Sequence, residues 1–316
     1  MKTVLITGAF GNLGLMCVDQ ALAQGHRVHC FDIENANTKK LAAQYSDKVK
    51  VFLGDIRDQA IVAKAMQGVD AIIHNASLLP PLTDTKPELA HEINVVATQQ
   101  MIALAEQQEK KPVFIFPSSF TVFGPVPEKG RLYHAADPVS PSDNYTEHKV
   151  AVENALKESS LDWVIVRIGV SVDARTLKTD RATFSKLLRV EASNPMEYVH
   201  PKDVALAMCN AVSQEEAIGK ILLLGGGKSC QIDQHQFLSI AFSSFGLKLP
   251  ISVHGSESFY TRWLDTEESQ RILQFQQHTI DDYRQEMLDQ VRSIRLFVKP
   301  LSFLLNPILP LVLKRL

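Results

Sequence analysis

The stretch NYTEHKV, residues 144–150, carries a tyrosine and a lysine four residues apart, with no glycine or proline between them. In a helix, Tyr145 and Lys149 would lie on one face, one turn apart. A phenol with its ordinary pKa of about 10 is a poor base at neutral pH, but a neighbouring cation can lower that value by about one to a few units. The pair could therefore exchange a proton with a substrate hydroxyl. The alternative is an exposed helical pair without a catalytic role.

Length and composition limit the class of protein that could hold such a site. The 316 residues are 45% apolar and 22% charged, which is typical of a globular protein large enough for an α/β domain with a smaller lobe. A formal charge of −2 gives no reason to expect a nucleic-acid partner. The N-terminus begins with a strand pattern rather than a signal peptide, so we expect a cytoplasmic protein. Four cysteines without metal-site spacing are expected to be reduced core residues, and no metal is predicted: Cys17, Cys30, Cys209 and Cys230.

Short runs of continuous hydrophobicity predict parallel strands that are covered on both faces. They lie at 3–8, 27–32, 49–55, 70–76, 112–119, 162–169 and 219–226. Helical patterns lie between them at 12–24, 58–66, 88–108, 144–159 and 201–213, with Asp58 and Asp143 as N-caps. This alternation predicts right-handed crossovers and an α/β fold, a Rossmann-type doubly wound parallel sheet with a smaller C-terminal substrate lobe.

The predicted organisation has three parts. Residues 1–169, which place the glycine-rich segment TGAFGNLG directly after the first strand, form the dinucleotide-binding core, and a strand near 219–226 completes its sheet. Residues 170–200 and 228–295, where the strand and helix rhythm breaks, form the substrate lobe. Residues 296–316 form an apolar and basic tail, and 123–142 is a further substrate loop.

The segment TGAFGNLG has Gly8, Gly11 and Gly14 between the first strand and the first helix, with Asn12 and Leu13 inside the turn. A helix N-terminus reached through glycines can bind a pyrophosphate, although an ordinary strand-to-helix turn is the alternative. The segment has no GK[ST] ending, which disfavours a mononucleotide phosphate loop.

Carboxylates follow the second and third predicted strands. Asp32 is suitably placed to accept hydrogen bonds from ribose hydroxyls and would repel a 2′-phosphate, which favours NAD over NADP. Asp55 and Ile56 could meet the adenine, although an aspartate that caps the next helix explains Asp55 equally well.

Six motifs follow one another along the chain: the glycine turn, GDIRD (54–58), HNAS (74–77), INVVAT (93–98), SSFTVFG (118–124) and YTEHK (145–149). With these motifs in this order, the chain resembles the extended short-chain dehydrogenase/reductase family, also called the NAD-dependent epimerase/dehydratase family. The resemblance covers about residues 1–215. It implies a Ser-Tyr-Lys site of Ser119, Tyr145 and Lys149, with Lys149 also holding the nicotinamide ribose. Asn94, which matches the family asparagine on the helix behind the nicotinamide, is implied to be a fourth catalytic residue, and Asn75, Ala76 and Tyr145 are implied to contact the cofactor.

Some positions depart from the family pattern. Phe120 and Thr121 stand where family dehydratases and decarboxylases carry acidic residues, which disfavours elimination. Val170 replaces an asparagine that helps family epimerases to bind a nucleotide-sugar diphosphate, and only about 30 residues separate Arg167 from His200. A smaller or more apolar substrate is therefore expected.

The C-terminal segment is apolar and surrounded by basic residues. Its sequence PLSFLLNPILPLVL (300–313) predicts a stretch too short and too broken by three prolines to span a hydrocarbon core, which needs about 20 apolar residues. Two interpretations remain open: residues 296–316 contact the inner face of a membrane peripherally, or they pack in a dimer interface or across the lobe. The flanking basic residues are Arg292, Arg295, Lys299, Lys314 and Arg315.

The leading hypothesis is an NAD-dependent oxidoreductase that interconverts a secondary alcohol, or a cyclic hemiacetal, and its carbonyl product. The partner is a small-molecule substrate, and the family resemblance predicts a homodimer. The first alternative is an NAD-retaining nucleotide-sugar epimerase. The alternative from another class is a non-catalytic dinucleotide-sensing or assembly protein.

Overall fold

A computed structural model describes residues 1–125, 132–178 and 181–314. Seven parallel strands form one sheet: β1 Thr3–Thr7, β2 Arg27–Asp32, β3 Lys50–Leu53, β4 Ala71–His74, β5 Val113–Ser119, β6 Trp163–Ile168 and β8 Lys220–Leu224. Strand β7, Pro195–Glu197, lies outside this sheet. The strand order β3-β2-β1-β4-β5-β6-β8 confirms the predicted doubly wound Rossmann-type architecture.

The continuous hydrophobic runs form strands because both faces of the sheet are covered. In β1, Val4 and Ile6 face one hydrophobic cluster, while Leu5 faces the other, and all three are fully buried. The helices on the two faces are α1 Asn12–Ala23, α2 Ala36–Tyr45, α3 Gln59–Met66, α4 Leu82–Thr85, α5 Pro87–His91, α6 Ala97–Glu106, α7 Asn144–Glu158 and, after the lobe helix α8 Arg181–Arg189, α9 Pro201–Ala211.

The predicted N-caps are confirmed. Asp58 accepts a hydrogen bond from the backbone N–H of Ala60 at 3.0 Å, and Asp143 accepts one from Thr146 at 2.8 Å. The second cap begins α7, the helix that carries Tyr145 and Lys149. A carboxylate at the N-terminus therefore fixes where this helix starts.

The helix predicted over 88–108 is present from Pro87 to Glu106, but it is not a regular α-helix throughout. A π-helical turn, Glu92–Val96, separates α5 from α6. Such a turn admits an extra residue and is common at functional sites. Here it contains Asn94, whose side chain is turned inward to hydrogen-bond the backbone of Leu78.

The remaining elements form a lobe on the sheet. Strand β7 pairs antiparallel with β9, Gln231–Asp233. Helix α11, Glu267–Leu273, packs instead against the main sheet, because Ile272 and Leu273 belong to its hydrophobic cluster. The other lobe helices are α10 Gln234–Phe245, which packs with α8, and α12 Ile280–Gln290, which packs with α10. Part of the predicted loop 123–142 lies outside the described residues, as does Arg315.

The C-terminal segment is not broken as the prolines predicted. It is helical from Arg292 to Leu313, 22 residues that by length and composition could cross a membrane. Pro300 lies in a 3₁₀ turn between α13, Arg292–Val298, and α14, Ser302–Leu313. Pro307 and Pro310 lie inside α14 and lack a backbone N–H, but the helix continues through both of them.

Candidate active site

The glycine turn is closed by backbone contacts that leave no room for side chains. A Cβ on Gly14 would lie 2.0 Å from the carbonyl oxygen of Gly8. Gly8 has a φ of +59°, and a Cβ there would lie 2.9 Å from the backbone nitrogen of Ala76. Helix α1 therefore starts directly against β1 and β4, with Gly11 as its N-cap. This is the cradle that a pyrophosphate needs at a helix N-terminus.

Asp32 braces that turn. Its carboxylate accepts hydrogen bonds from the backbone N–H groups of Phe10 and Ile33, both at 2.7 Å. Burial raises the pKa of Asp32, and these two hydrogen bonds act in the opposite direction. Each carboxylate oxygen still has a lone pair that can accept a hydrogen bond from a ribose hydroxyl.

Asp55 does not cap the helix that follows it. It accepts a hydrogen bond from the backbone N–H of Arg57 at 2.9 Å and pairs with the guanidinium at 2.7 Å, while Asp58 supplies the cap of α3. The hydrogen bond with Arg57 lowers the pKa of Asp55. The contact fixes the loop so that Asp55 and Ile56 both line the cavity described below.

Lys149 and Tyr145 lie side by side on α7, as their spacing predicts. The amine Nζ of Lys149 donates a hydrogen bond to the carbonyl of Pro117 at 2.7 Å and lies 5.6 Å from the centroid of the Tyr145 ring. The hydroxyl of Ser119, at the end of β5, hydrogen-bonds Tyr145 and also Thr121, the latter at 2.7 Å. The structure thus brings the predicted serine, tyrosine and lysine together.

The expected lowering of the pKa of Tyr145 is not found. Burial raises the pKa of Tyr145 to about 12, and the hydrogen bond with Ser119 offsets only part of this. Burial also lowers the pKa of Lys149 to about 8, while Glu153 acts in the opposite direction. Both pKa values move in the direction of the neutral form because the site is poorly solvated, and burial is the largest cause of each shift.

Asn94 lies behind the cavity wall. Its amide Nδ2 donates to the carbonyl of Leu78 at 2.9 Å, and its Oδ1 accepts from the backbone N–H of Leu78 at 2.7 Å. Oδ1 also accepts from the hydroxyl of Ser77 at 3.2 Å. Because Ser77 and Leu78 line the cavity, Asn94 positions its wall.

Unlike Asn94, Asn75 lines the cavity itself, and its side-chain oxygen is unpaired within the part of the chain that the structure describes. Its Oδ1 is buried without a hydrogen-bond partner among the described residues, although Asn75 lines the cavity. A buried acceptor of this kind normally has a partner. The site therefore has an acceptor that a donor on a bound cofactor could satisfy.

A single cavity of about 890 Å³ joins the glycine turn to the Ser-Tyr-Lys cluster. Among the described residues that line it are Gly8, Gly11, Asn12, Leu13, Gly14, Asp32, Asp55, Ile56, Asn75, Ala76, Ser119, Tyr145 and Lys149. A space of this size and shape fits a dinucleotide laid along the carboxyl ends of the strands, with its reactive end near Tyr145.

Sequence reasoning missed residues after β6 that close the cavity. Ser171, Val172, Asp173 and Arg175 all line it. The guanidinium of Arg175 pairs with Asp173 and hydrogen-bonds Oδ1 of Asn12 in the glycine turn. Their position beyond the carboxyl end of a parallel strand was the signal that could have identified them.

A buried ion pair holds α7, the helix that carries Tyr145 and Lys149, against the sheet. Glu153 of α7 accepts from Nε and Nη2 of Arg167 of β6 at 3.0 and 2.7 Å, and from the hydroxyl of Ser118 at 2.6 Å. Both charged side chains are almost fully buried. Arg167 thus holds α7 to the sheet.

His200 and Asp203, for which the family resemblance implies structural roles, join the lobe to α9. Asp203 accepts from the backbone N–H groups of Gln277 and His278 at 3.0 and 2.9 Å. The N-cap of α9 is His200, which accepts from the backbone N–H of Lys202.

Comparison with known proteins agrees with this geometry. A human sterol-4-alpha-carboxylate 3-dehydrogenase (decarboxylating) is 28% identical over 155 residues, which are 49% of this chain and 39% of that protein. The match thus spans about two fifths of that relative. An uncharacterized membrane protein of Methanocaldococcus jannaschii is 26% identical over 254 residues, 79% of this chain and 67% of that one.

A solved structure of a short-chain dehydrogenase/reductase superfamily protein from Agrobacterium tumefaciens, with bound NAD, has the same fold. Its TM-score is 0.75 at 19% identity, with coverage of 92% of this chain and 97% of that one. The family model named NAD dependent epimerase/dehydratase family matches residues 4–225, which include the glycine turn, the Ser-Tyr-Lys cluster and all strands of the large sheet. The chain belongs to the NAD-dependent epimerase/dehydratase family.

Proposed function

We propose that this protein is an NAD-dependent oxidoreductase that interconverts a secondary alcohol, or a cyclic hemiacetal, and its carbonyl product. The observation that carries the proposal is the single cavity that joins the glycine turn and Asp32 to Ser119, Tyr145 and Lys149. NAD has no 2′-phosphate on its adenosine ribose, whereas NADP has one that the carboxylate of Asp32 would repel. Asp32 therefore supports NAD as the cofactor.

NAD, when bound, supplies the hydride acceptor or donor. In the oxidation direction, Tyr145 takes the proton of the substrate hydroxyl, and in reduction it returns that proton. Ser119 hydrogen-bonds the same substrate oxygen and fixes its orientation. Lys149 contributes positive charge beside the phenol, which is needed because burial alone keeps Tyr145 protonated, with its pKa at about 12.

The cavity wall supports a small or apolar substrate. Thr121 offers a hydroxyl to Ser119, and Phe120 is buried, so neither supplies the carboxylate that elimination requires. Leu78, Leu79 and Val172 line the cavity with apolar side chains. We therefore propose that residues 170–200 and 228–295 act as the substrate lobe on the 1–169 core and bind a small or apolar substrate.

The second candidate function is a nucleotide-sugar epimerase that retains its NAD through the reaction cycle. It is considered because the family includes epimerases and because the same Ser-Tyr-Lys cluster would serve both reactions. Net formation of NADH from added NAD⁺ distinguishes the two. A purely cofactor-sensing protein would not require Ser119, Tyr145 and Lys149 to line the same cavity as the glycine turn.

We further propose a cytoplasmic homodimer that contacts the inner face of a membrane through its C-terminal helix. Exposed apolar side chains along that helix support the membrane contact. So does the similarity to the archaeal membrane protein over 79% of this chain.

The test starts with a screen of sugars, uronic acids, sterols and nucleotide-sugars for NADH formation, with and without lipid vesicles. With the substrate found, Tyr145→Phe should abolish turnover and leave NAD affinity within a few-fold, because only the proton-transferring oxygen is removed. Tyr45→Phe is the matched control, since Tyr45 bonds Asp19 on the protein surface. Full activity of Tyr145→Phe would reject the assigned acid-base group.

A further inference from the structure

The C-terminal helix, Arg292–Leu313, presents an apolar face that no described residue covers. Leu296, Phe297 and Phe303 are 73%, 77% and 70% exposed. Only 6% of the most apolar part of the helix is buried against the rest of the protein. Ile251, on the turn that packs against α14, is 65% exposed and extends the patch. A contiguous apolar surface of this kind normally marks an interaction site.

The opposite face of the helix lies along the lobe from its first turn to its last. Arg295 donates to the carbonyl of Ser244 at 2.8 Å, and Asn306 accepts from the backbone N–H of Lys248 at 2.9 Å. Leu313 is buried in a cluster of lobe leucines, which Leu309 joins. Positions 295, 306, 309 and 313 share one face because they are separated by near-whole numbers of turns. The helix therefore does not project away from the protein.

The charges fit a helix that lies in the plane of a bilayer surface. Arg292 and Lys299 are seven residues apart and lie on one flank, between the face on the lobe and the apolar face. No acidic residue follows Asp289. Long basic side chains on such a flank can reach lipid phosphates while the apolar face inserts.

A spanning orientation fits less well. The uncharged stretch from 300 to 313 is about 21 Å long as a helix, whereas a hydrocarbon core is about 30 Å thick. A span would therefore bury Lys299, and it would also separate Asn306, Leu309 and Leu313 from their contacts on the lobe.

We propose that Arg292–Leu313 is an in-plane docking helix that seats the lobe on an anionic lipid bilayer, with one face on the protein and the other in the lipid. The proposal rests on the membrane contact put forward above and specifies its mode. It is independent of the reaction, so hydride transfer to a water-soluble substrate serves as a separate readout of the active site.

Flotation of the full chain with vesicles of phosphatidylcholine, with or without phosphatidylserine, tests the docking surface. Leu296→Glu/Phe303→Glu should reduce vesicle binding at least about tenfold, since two inserted side chains become charged. Ala43→Glu/Ala60→Glu adds the same charge on exposed positions of α2 and α3 and should bind as the wild type does. The proposal would be overturned if the control variant lost as much vesicle binding as Leu296→Glu/Phe303→Glu does, or if the wild type did not bind vesicles.

The basic flank makes a second expectation. Arg292→Gln/Lys299→Gln should weaken binding to vesicles with phosphatidylserine by about fivefold per residue, and this difference should vanish at high salt. Unchanged binding to anionic vesicles would remove lipid phosphate as the partner of these two side chains.

Labelling separates the in-plane mode from the alternatives. The variant Lys314→Cys places a single exposed thiol at the end of the helix, because all four native cysteines are buried. An in-plane helix keeps this thiol on the outer side of the vesicle, so a membrane-impermeant maleimide should react with it on intact vesicles as readily as in detergent. Protection until detergent is added would indicate a span. A lipid-free dimer that Leu296→Glu/Phe303→Glu dissociates, without vesicle binding by the wild type, would assign the patch to a second copy of the chain.

Discussion

At the scale of single residues, the site is governed by competition between burial and charge. Tyr145 and Lys149 lie on one helical face, yet burial raises the pKa of the phenol to about 12 and lowers the pKa of the amine to about 8. Burial disfavours the charged form of each group, and a phenolate therefore requires positive charge close by, which an amine with a pKa of about 8 still carries at neutral pH. The role proposed for Lys149 is to supply that charge when protonated.

Lys149→Met should therefore move the pH dependence of alcohol oxidation. Oxidation needs the deprotonated phenol, so kcat/KM rises with pH up to the apparent pKa of the Tyr145 and Lys149 pair. Removing the cation should shift this rise to higher pH and lower the rate at neutral pH. A pH series of kcat/KM measures the shift, and an unchanged profile would assign the charge to another group.

At the scale of secondary structure, close contacts between elements decide where the site forms. Gly14 allows α1 to start against the carbonyl of Gly8, and Asp143 fixes the start of α7. The pair of Glu153 and Arg167 joins α7 to β6 next to the helical face that carries Tyr145 and Lys149. The geometry of the Ser-Tyr-Lys cluster thus depends on side chains that do no chemistry.

Gly14→Ala should remove NAD binding, because its Cβ would lie 2.0 Å from the oxygen of Gly8 and would push α1 away from the strand. Gly11→Ala, where the nearest atom would be 3.2 Å away, should weaken binding less. Calorimetric titration with NAD measures both. Equal affinity of Gly14→Ala and the wild type would show that the turn does not contact the cofactor.

Glu153→Gln should lower the free energy of unfolding by about 3 kcal/mol at neutral pH, because it leaves Arg167 buried without a counter-charge. Although burial acts to raise it, the pKa of Glu153 is lowered by Arg167. The stabilisation from the carboxylate is therefore present above its ordinary pKa of about 4.3 and is lost as the pH falls through the folded-state value.

The difference in free energy of unfolding between the wild type and Glu153→Gln should accordingly become smaller at acidic pH. Urea unfolding at several pH values measures it. The control is Glu158→Gln, an exposed change on the same helix that should cost less than about 0.5 kcal/mol at every pH. A pH-independent gap would mean that the charge of Glu153 is not the cause.

At the scale of the whole molecule, the C-terminal helix serves two surfaces at once. Its inner face covers lobe leucines, because Leu313 is 8% exposed and contacts the cluster that holds Leu188, Leu238 and Leu249. Its outer face remains apolar and open. Truncation and surface substitution should therefore have different consequences.

Deleting 297–316 should cost about 2–4 kcal/mol of stability, because it uncovers the lobe leucines and removes Leu313. Leu296→Glu/Phe303→Glu, on the exposed face, should change stability by less than about 0.5 kcal/mol. Urea unfolding compares the two. Equal stability of the truncated and full chains would show that the helix does not pack on the lobe in solution.

The sequence by itself determined the succession of the seven strands and of most helices between them, the glycine turn and the helical face that carries Tyr145 and Lys149, but it did not reveal α2, Ala36–Tyr45. These features depend on local spacing: continuous apolar runs, N-cap residues and a four-residue repeat along a helix. The predicted ends of most elements lie within a few residues of the observed ones for the same reason.

Only the tertiary structure decided the features that depend on distant parts of the chain. Arg175 reaches Asn12 across 163 residues, and the inward turn of Asn94 follows from its bonds to Leu78. The raised pKa of Tyr145 arises from burial by the surrounding elements. The C-terminal helix continues through its prolines with one face held against the lobe. Desolvation and long-range contacts are properties of the packed chain, so no local pattern could have predicted them.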